Sequence, residues 1–288
     1  MRFGLIANLN RPGAQDAMRS LIDWVKRSNN DLLLSEELLA VAGNDLAFAR
    51  KDEIASKVDV VVSMGGDGTI LSTNRAVGRA GTPILGINLG SLGFLTQLTA
   101  KQLVSALEAI VAGKYNIEER MLLEAHVAGR SEPESAFALN DIVVDNGPVS
   151  RLIDIVLEVN GEEIVAYRAD GLVVSTPTGS TAYNLAVGGP IMNPTMDAVI
   201  VAPISAFSLS TRPMILSPGD TLELKIGSQH GVAGLTLDGQ VMVELKDTDR
   251  VTITRADFRA KFVVFPENTF YKLLRDKLHW GVTPRGQG

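Results

Sequence analysis

Gly65-Gly66-Asp67-Gly68-Thr69 combines a permissive backbone with one carboxylate and one hydroxyl. Glycines let the main chain approach an anion closely, and N–H groups left free at a helix start point at it. A phosphate-handling turn is one reading. The carboxylate complicates it, because Asp67 repels phosphate. It can hold a metal, take a proton from a hydroxyl, or bond its own turn. The plainer reading is a tight strand-to-helix turn, with Asp67 bonding its own backbone and Thr69 capping the helix. Two phosphate motifs are excluded. No Gly-Lys-Ser/Thr follows, so this is no P-loop, and the glycine spacing is not that of the dinucleotide fingerprint.

Three further groupings carry polar chemistry. Asn140-Asp141 opens the apolar run Ile142-Val143-Val144. It reads either as a turn before a strand or as an amide and a carboxylate for ribose hydroxyls or an adenine edge. The stretch Tyr167 to Tyr183 holds Arg168 and Asp170, two residues apart and so on one face of an extended strand. Between 175 and 181 it also holds five Ser/Thr residues, Ser175, Thr176, Thr178, Ser180 and Thr181. One helix cap needs only one of them, so the excess suggests a ligand rich in phosphate or ribose oxygens. Asp238-Gly239-Gln240 reads as a hairpin turn. His126, His230 and His279 have no metal-ligand spacing and read as structural.

The elements that must position these residues follow from the apolar pattern. Asp59 to Met64 is a buried strand leading into the glycine turn, and Ile70 to Val77 is the helix after it. Strands are expected at Phe3 to Ala7, Leu32 to Leu34 and Pro83 to Ile87. Ala14, Met18, Leu21, Ile22 and Val25 mark an amphipathic helix, and Thr99 can cap another whose face is Leu103, Ala106, Leu107, Ile110 and Val111. Alternating strands and helices predict a parallel sheet in residues 1–113, an α/β domain. From 114 to 265 short strands with period two dominate, such as Thr221 to Ile226 and Val241 to Leu245, and predict an all-β domain. Residues 266–288 read as a helical tail that packs back on the first domain. The chain has 288 residues, 45% hydrophobic, with a formal charge of -6 and no cysteine. Thiol chemistry and disulfides are excluded, and a broad basic face for nucleic acid is not expected. No apolar run is long enough to span a membrane, so a soluble cytoplasmic protein is the expectation.

Taken in order, the glycine turn, Asn140-Asp141, Tyr167-Arg168-Ala169-Asp170-Gly171, Ser175 to Tyr183, Gly188-Gly189-Pro190 and Asp238-Gly239-Gln240 resemble the NAD kinase family over nearly the whole chain. The glycine-aspartate turn alone is shared with lipid kinases and phosphofructokinases; the threonine-rich block is not. The resemblance implies a two-domain phosphotransferase that moves a phosphoryl from ATP, or polyphosphate, to the 2′-hydroxyl of the adenosine ribose of NAD. It implies a divalent cation such as Mg²⁺, without naming protein ligands for it, and a homodimer or homotetramer. It makes Asp67 the general base. It gives NAD contacts to Asp67, Gly68, Asn140, Asp141, Arg151, Arg168, Asp170, Thr181, Ala182, Tyr183, Asn184, Leu185, Ala186 and Gln240, and places Phe94 near the ligand. It makes Gly65, Gly66 and Thr69 the phosphate-handling residues of the turn. The chain departs from the family at Asp141, where many members have glutamate. It also departs at Ser72, where many have an arginine, for which Arg75 is the expected substitute. The segment Pro203 to Pro213 keeps the family's ending but lacks its usual proline-histidine pair. A lipid or small-alcohol kinase and a non-catalytic NAD(P)-binding regulator are the alternatives.

Overall fold

A computed structural model describes the chain except residues 44–45, 91–92, 129–135, 148–151, 228–232, 248, 268 and 279–288. The chain divides into two compact units, Met1–Glu118 with Lys261–Gly288, and Glu119–Ala260.

The first unit is built on a parallel sheet. Its strands run Ala47–Ala49, Asp31–Ser35, Arg2–Ala7, Val60–Gly65 and Ile84–Asn88, followed by the end of the long strand Arg250–Val264 through Phe262. Every residue of Val60–Gly65 is buried. That is why the strand reads as a continuous apolar run and not as an alternation: both of its faces are covered. The helix Ala14–Arg27 buries Ala14, Ala17, Met18, Leu21, Ile22 and Trp24. The Trp24 ring meets Phe3 edge to face at 5.6 Å. Thr99 and Gln102 form a capping box ahead of the helix Leu103–Val111. The short strand Ala47–Ala49 and the four-residue helices Leu39–Ala42 and Lys51–Ile54 have too few periodic residues to be read from sequence. The tail supplies the helix Phe270–Leu278, which buries Leu273 and Leu274 in this unit.

The second unit is antiparallel. One sheet pairs Glu162–Ala169, Ile153–Val159, Leu222–Gly227 and Arg250–Val264 in that order. The other runs Met214–Leu216, Val199–Ile204, Gly171–Ser175, Asp141–Asp145, Ala233–Leu237 and Val241–Leu245. Alternate residues of both sheets, such as Ile153, Ile155 and Leu157 with Ile142 and Val144, enter one core. The architecture is thus an α/β unit with a parallel sheet and an antiparallel β unit. Among the described residues no helix is long and apolar enough to cross a membrane.

Candidate functional site

The glycine turn joins the strand Val60–Gly65 to the helix Asp67–Val77, with Gly66 as the extended N-cap. The helix thus begins at Asp67, three residues earlier than its apolar pattern, and Thr69 lies inside it instead of capping it. Gly65 must be glycine, because a Cβ there would stand 2.1 Å from the Thr69 hydroxyl. The helix is fastened to its strand by the buried pair Ser63 Oγ–Thr73 Oγ1 at 2.7 Å.

Asp67 does not bond its own turn. Its carboxylate reaches the loop after the next strand, and Gly65 pairs with Asn88 where both strands end. Oδ2 accepts the Phe94 N–H at 2.8 Å. Oδ1 accepts the N–H groups of Leu95 and Thr96 at 3.2 and 3.3 Å and the Thr96 hydroxyl at 3.2 Å. Thr96 is itself held, since its Oγ1 accepts from Asn88 Nδ2 at 2.6 Å and from Gly93 N–H at 3.1 Å. A carboxylate offers about four lone-pair positions. Among the described residues three donors occupy Oδ1 and one occupies Oδ2, which makes Oδ2 the less filled oxygen. Gly93 makes this possible: a Cβ there would lie 1.8 Å from Asp67 Oδ1. Asn88 and Gly93 belong to a glycine-rich loop in the sequence, but nothing in the sequence pairs them or Thr96 with Asp67.

Beside the turn a cleft of about 350 Å³ is lined by Asn8, Asn10, Lys51, Gly68, Thr69 and Ser72, together with Glu37 and apolar residues. Lys51 Nζ donates to Ser72 Oγ at 2.5 Å. Arg11 brings a guanidinium 3.6 Å from where a Cβ on Gly66 would sit. Arg75 is in the last turn of the helix, with its Nε buried, and is not part of this lining. The cation that lines this cleft beside Ser72 is Lys51.

On the second unit Asn140, Asp141, Asp145, Ala182, Tyr183 and Asp238 line a pocket of about 300 Å³. Asp238 is more than a hairpin residue. Its left-handed backbone, φ 52°, turns the chain between two strands. Its buried carboxylate accepts the N–H groups of Leu139, Asn140 and Asp141 at 3.0, 2.7 and 3.3 Å. Asp141, 5% exposed, begins the strand Asp141–Asp145. Burial first, and the nearby Asp238 carboxylate second, push its carboxyl up from 3.8 to about 7, against the Tyr183 N–H that lowers it. The Tyr183 hydroxyl is also pushed up, by burial and by the charges of Asp145, Asp170 and Asp141. This pocket is acidic, and suits a ligand that offers hydroxyl or amino donors.

The hydroxyl-rich block serves mostly its own fold. Ser175 Oγ donates to the Asn140 and Thr176 carbonyls, Thr176 Oγ1 to Leu139, and Thr181 Oγ1 to Thr178. Ser180 Oγ donates to the Met192 carbonyl and accepts its N–H. A buried turn needs such donors for its carbonyls, which explains the excess. Among the described residues, the buried Thr178 Oγ1 is the one of these five hydroxyls with no hydrogen-bond partner. Thr181 closes a single turn, and Tyr183–Ala186 form a short helix that includes Leu185. Asn184 is fully buried and its amide donates to the carbonyls of Ser180 and Pro190. Arg168 is exposed at the end of its strand, and Asp170 lies just beyond it. Gln240 is exposed after the hairpin turn. Arg151 lies outside the described residues. No group of three His, Asp or Glu side chains among the described residues is arranged to hold a metal.

Residues 3–115 match the family model of the ATP-NAD kinase N-terminal domain, and 139–265 that of the ATP-NAD kinase C-terminal domain. The chain is 39% identical over 277 residues to an NAD kinase of Desulforamulus reducens, covering 96% of each protein. It is 37% identical over 281 residues to an NAD kinase of Geotalea daltonii, covering 97% of this chain and 99% of that protein. Its fold is similar to yeast NADH kinase complexed with NADH, with a TM-score of 0.91 at 26% identity over 100% of this chain and 90% of that one. It is also similar to an NAD kinase from Archaeoglobus fulgidus in complex with ATP, with a TM-score of 0.79 at 26% identity over 97% and 99%.

Proposed function

The chain belongs to the ATP-NAD kinase family and is a phosphotransferase that acts on NAD, and from that premise we propose that Asp67 is the base that directs ATP's terminal phosphoryl to the 2′-hydroxyl of the adenosine ribose. One observation carries this reading: among the described residues the Asp67 carboxylate is fixed by four donors, three on Oδ1 and one on Oδ2. A ribose hydroxyl is a weak nucleophile. A carboxylate held rigidly at hydrogen-bond distance orients it and takes its proton as the new O–P bond forms. Most of the acceleration in phosphoryl transfer comes from alignment and charge neutralisation, so a well-fixed acceptor matters more than a strong base.

The second unit supplies the acceptor's contacts in this reading. The Asn140 amide, the Asp141 carboxyl and the Tyr183 segment recognise donors on the ribose and adenine. Thr178 Oγ1, buried without a partner, is supported as a further contact. Arg168, Asp170 and Gln240 remain assigned by the family resemblance, as does Arg151. The described residues form no resident metal cage and the Asp67 oxygens are largely filled, so a divalent cation fits here as part of the donor, bound to its phosphates. The same reading includes a homo-oligomer, which rests on the resemblance, and a cytoplasmic setting, which rests on the lack of a membrane-length apolar run in the sequence.

The test is a coupled assay on the purified protein. ATP and polyphosphate are supplied in turn as donors, and NAD and NADH as acceptors, with and without Mg²⁺. NADP formation from NAD, ATP and Mg²⁺ is expected. A lipid alcohol that outcompetes NAD, or tight NAD binding with no transfer from any donor, contradicts the proposal.

A further inference from the structure

We propose that Lys51 binds the terminal phosphates of the donor; the inference rests on the reading that ATP is the donor. Lys51 starts the short helix Lys51–Ile54, outside the short motifs on which the resemblance rests. Its ammonium lines the same cleft as Gly68, Thr69 and Ser72, and it spends one proton on the Ser72 hydroxyl at 2.5 Å. An ammonium has three donors. Two protons and the full charge are left for the cleft.

The surroundings keep that charge available. The carboxylates next to Lys51 in sequence are already taken. Asp52 is held by both Nε and NH2 of Arg50, at 3.2 and 2.9 Å. Glu53 pairs with Lys57 at 2.6 Å. Glu37 is exposed and is the one carboxylate in the lining, and among the described residues no ion pair joins it to Lys51. A half-buried lysine whose one partner among the described residues is a neutral hydroxyl is arranged to meet an anion. Gly68 leaves the approach open, since a Cβ there would meet nothing within 4 Å.

This also accounts for Ser72. An arginine on the helix at this position would fill the cleft with its own guanidinium. Serine leaves the space free, and the cation arrives instead from an element of the first unit 21 residues earlier, using the serine hydroxyl as its anchor. Charge is conserved at the place while its source in the sequence changes.

The experiment compares wild type with K51M and K51R. Initial rates are measured with ATP varied at saturating NAD, then with NAD varied at saturating ATP. ATP, AMP and NAD are also titrated by calorimetry, and each variant's melting temperature is recorded. K51M is expected to raise the ATP KM and weaken ATP binding by about tenfold to hundredfold, the range for losing one charge-assisted contact. The NAD KM and AMP affinity stay within about twofold, because neither has a terminal phosphate in this cleft. K51R restores most of the ATP affinity. An ATP KM and affinity in K51M within about twofold of wild type, with folding intact, overturn the assignment of Lys51 and leave the kinase reading standing. A wild-type protein that forms no NADP sinks the kinase reading instead, and the ATP and AMP titrations then decide Lys51 without turnover.

Discussion

Replacing Asp141 by asparagine should stabilise the protein, and by an amount that depends on pH. Asp141 is buried beside the Asp238 carboxylate, and its carboxyl is raised from the ordinary 3.8 to about 7. Between those values the folded state holds a proton that the unfolded state has lost. Stability contributed by this group is therefore present below about pH 4, falls as pH rises through the window, and is flat above about pH 7. At about 1.4 kcal/mol per tenfold change in proton affinity, the full penalty is about 4 kcal/mol at most. Asparagine has the same shape and no charge, and its side-chain oxygen can still accept the Tyr183 N–H. Groups unchanged between the proteins cancel in the difference. Urea denaturation of wild type and D141N, at steps from about pH 5 to about pH 8, measures it. The variant's advantage should grow with pH and level off near neutrality. A difference that is constant over the range, or that favours wild type increasingly as pH rises, refutes the argument that burial beside Asp238 governs this carboxyl.

Ligand binding should read the same titration. If NAD donates hydroxyl or amino protons to ionised Asp141, NAD affinity measured by calorimetry should rise from about pH 5.5 to about pH 8 in wild type and flatten in D141N; equal slopes in both contradict it. G93A drives a methyl group to 1.8 Å from Asp67 Oδ1. It should cut kcat by roughly a hundredfold, from misplacement of the carboxylate, while NAD affinity changes little; unchanged kcat would show that the loop does not fix Asp67. D238A leaves three N–H groups, those of Leu139, Asn140 and Asp141, without their acceptor. A loss of about 3 kcal/mol or more is expected on denaturation, and a loss below about 1 kcal/mol contradicts the capping role.

The main outlines of both units were legible in the sequence, for a physical reason in each. The parallel sheet shows as continuous apolar runs because Val60–Gly65 is covered on both faces. The β unit shows as period two because strands such as Leu222–Gly227 bury alternate residues. Asp67 and Asp141 were legible as unusual residue types in turns. Their partners were not. Asp67 is held from 27 to 29 residues away, because two neighbouring parallel strands bring their following loops together. Asp238 caps backbone 97 to 99 residues distant, which no hairpin signal announces. At the hydroxyl block, counting donors cannot tell a ligand's oxygens from buried carbonyls such as those of Leu139 and Asn140. Lys51 gave no signal at all, since its significance lies in which carboxylates its neighbours have already taken.

The most direct test of Asp67 as the acceptor's base combines turnover with binding in D67N. Asparagine keeps the shape, but its amide sets an N–H against one of the loop's N–H donors, so a melt should accompany the assay. With NAD, ATP and Mg²⁺, NADP formation should fall by about a hundredfold to ten-thousandfold, while NAD binding by calorimetry remains near the wild-type value. A folded D67N that forms NADP at the wild-type rate contradicts the account.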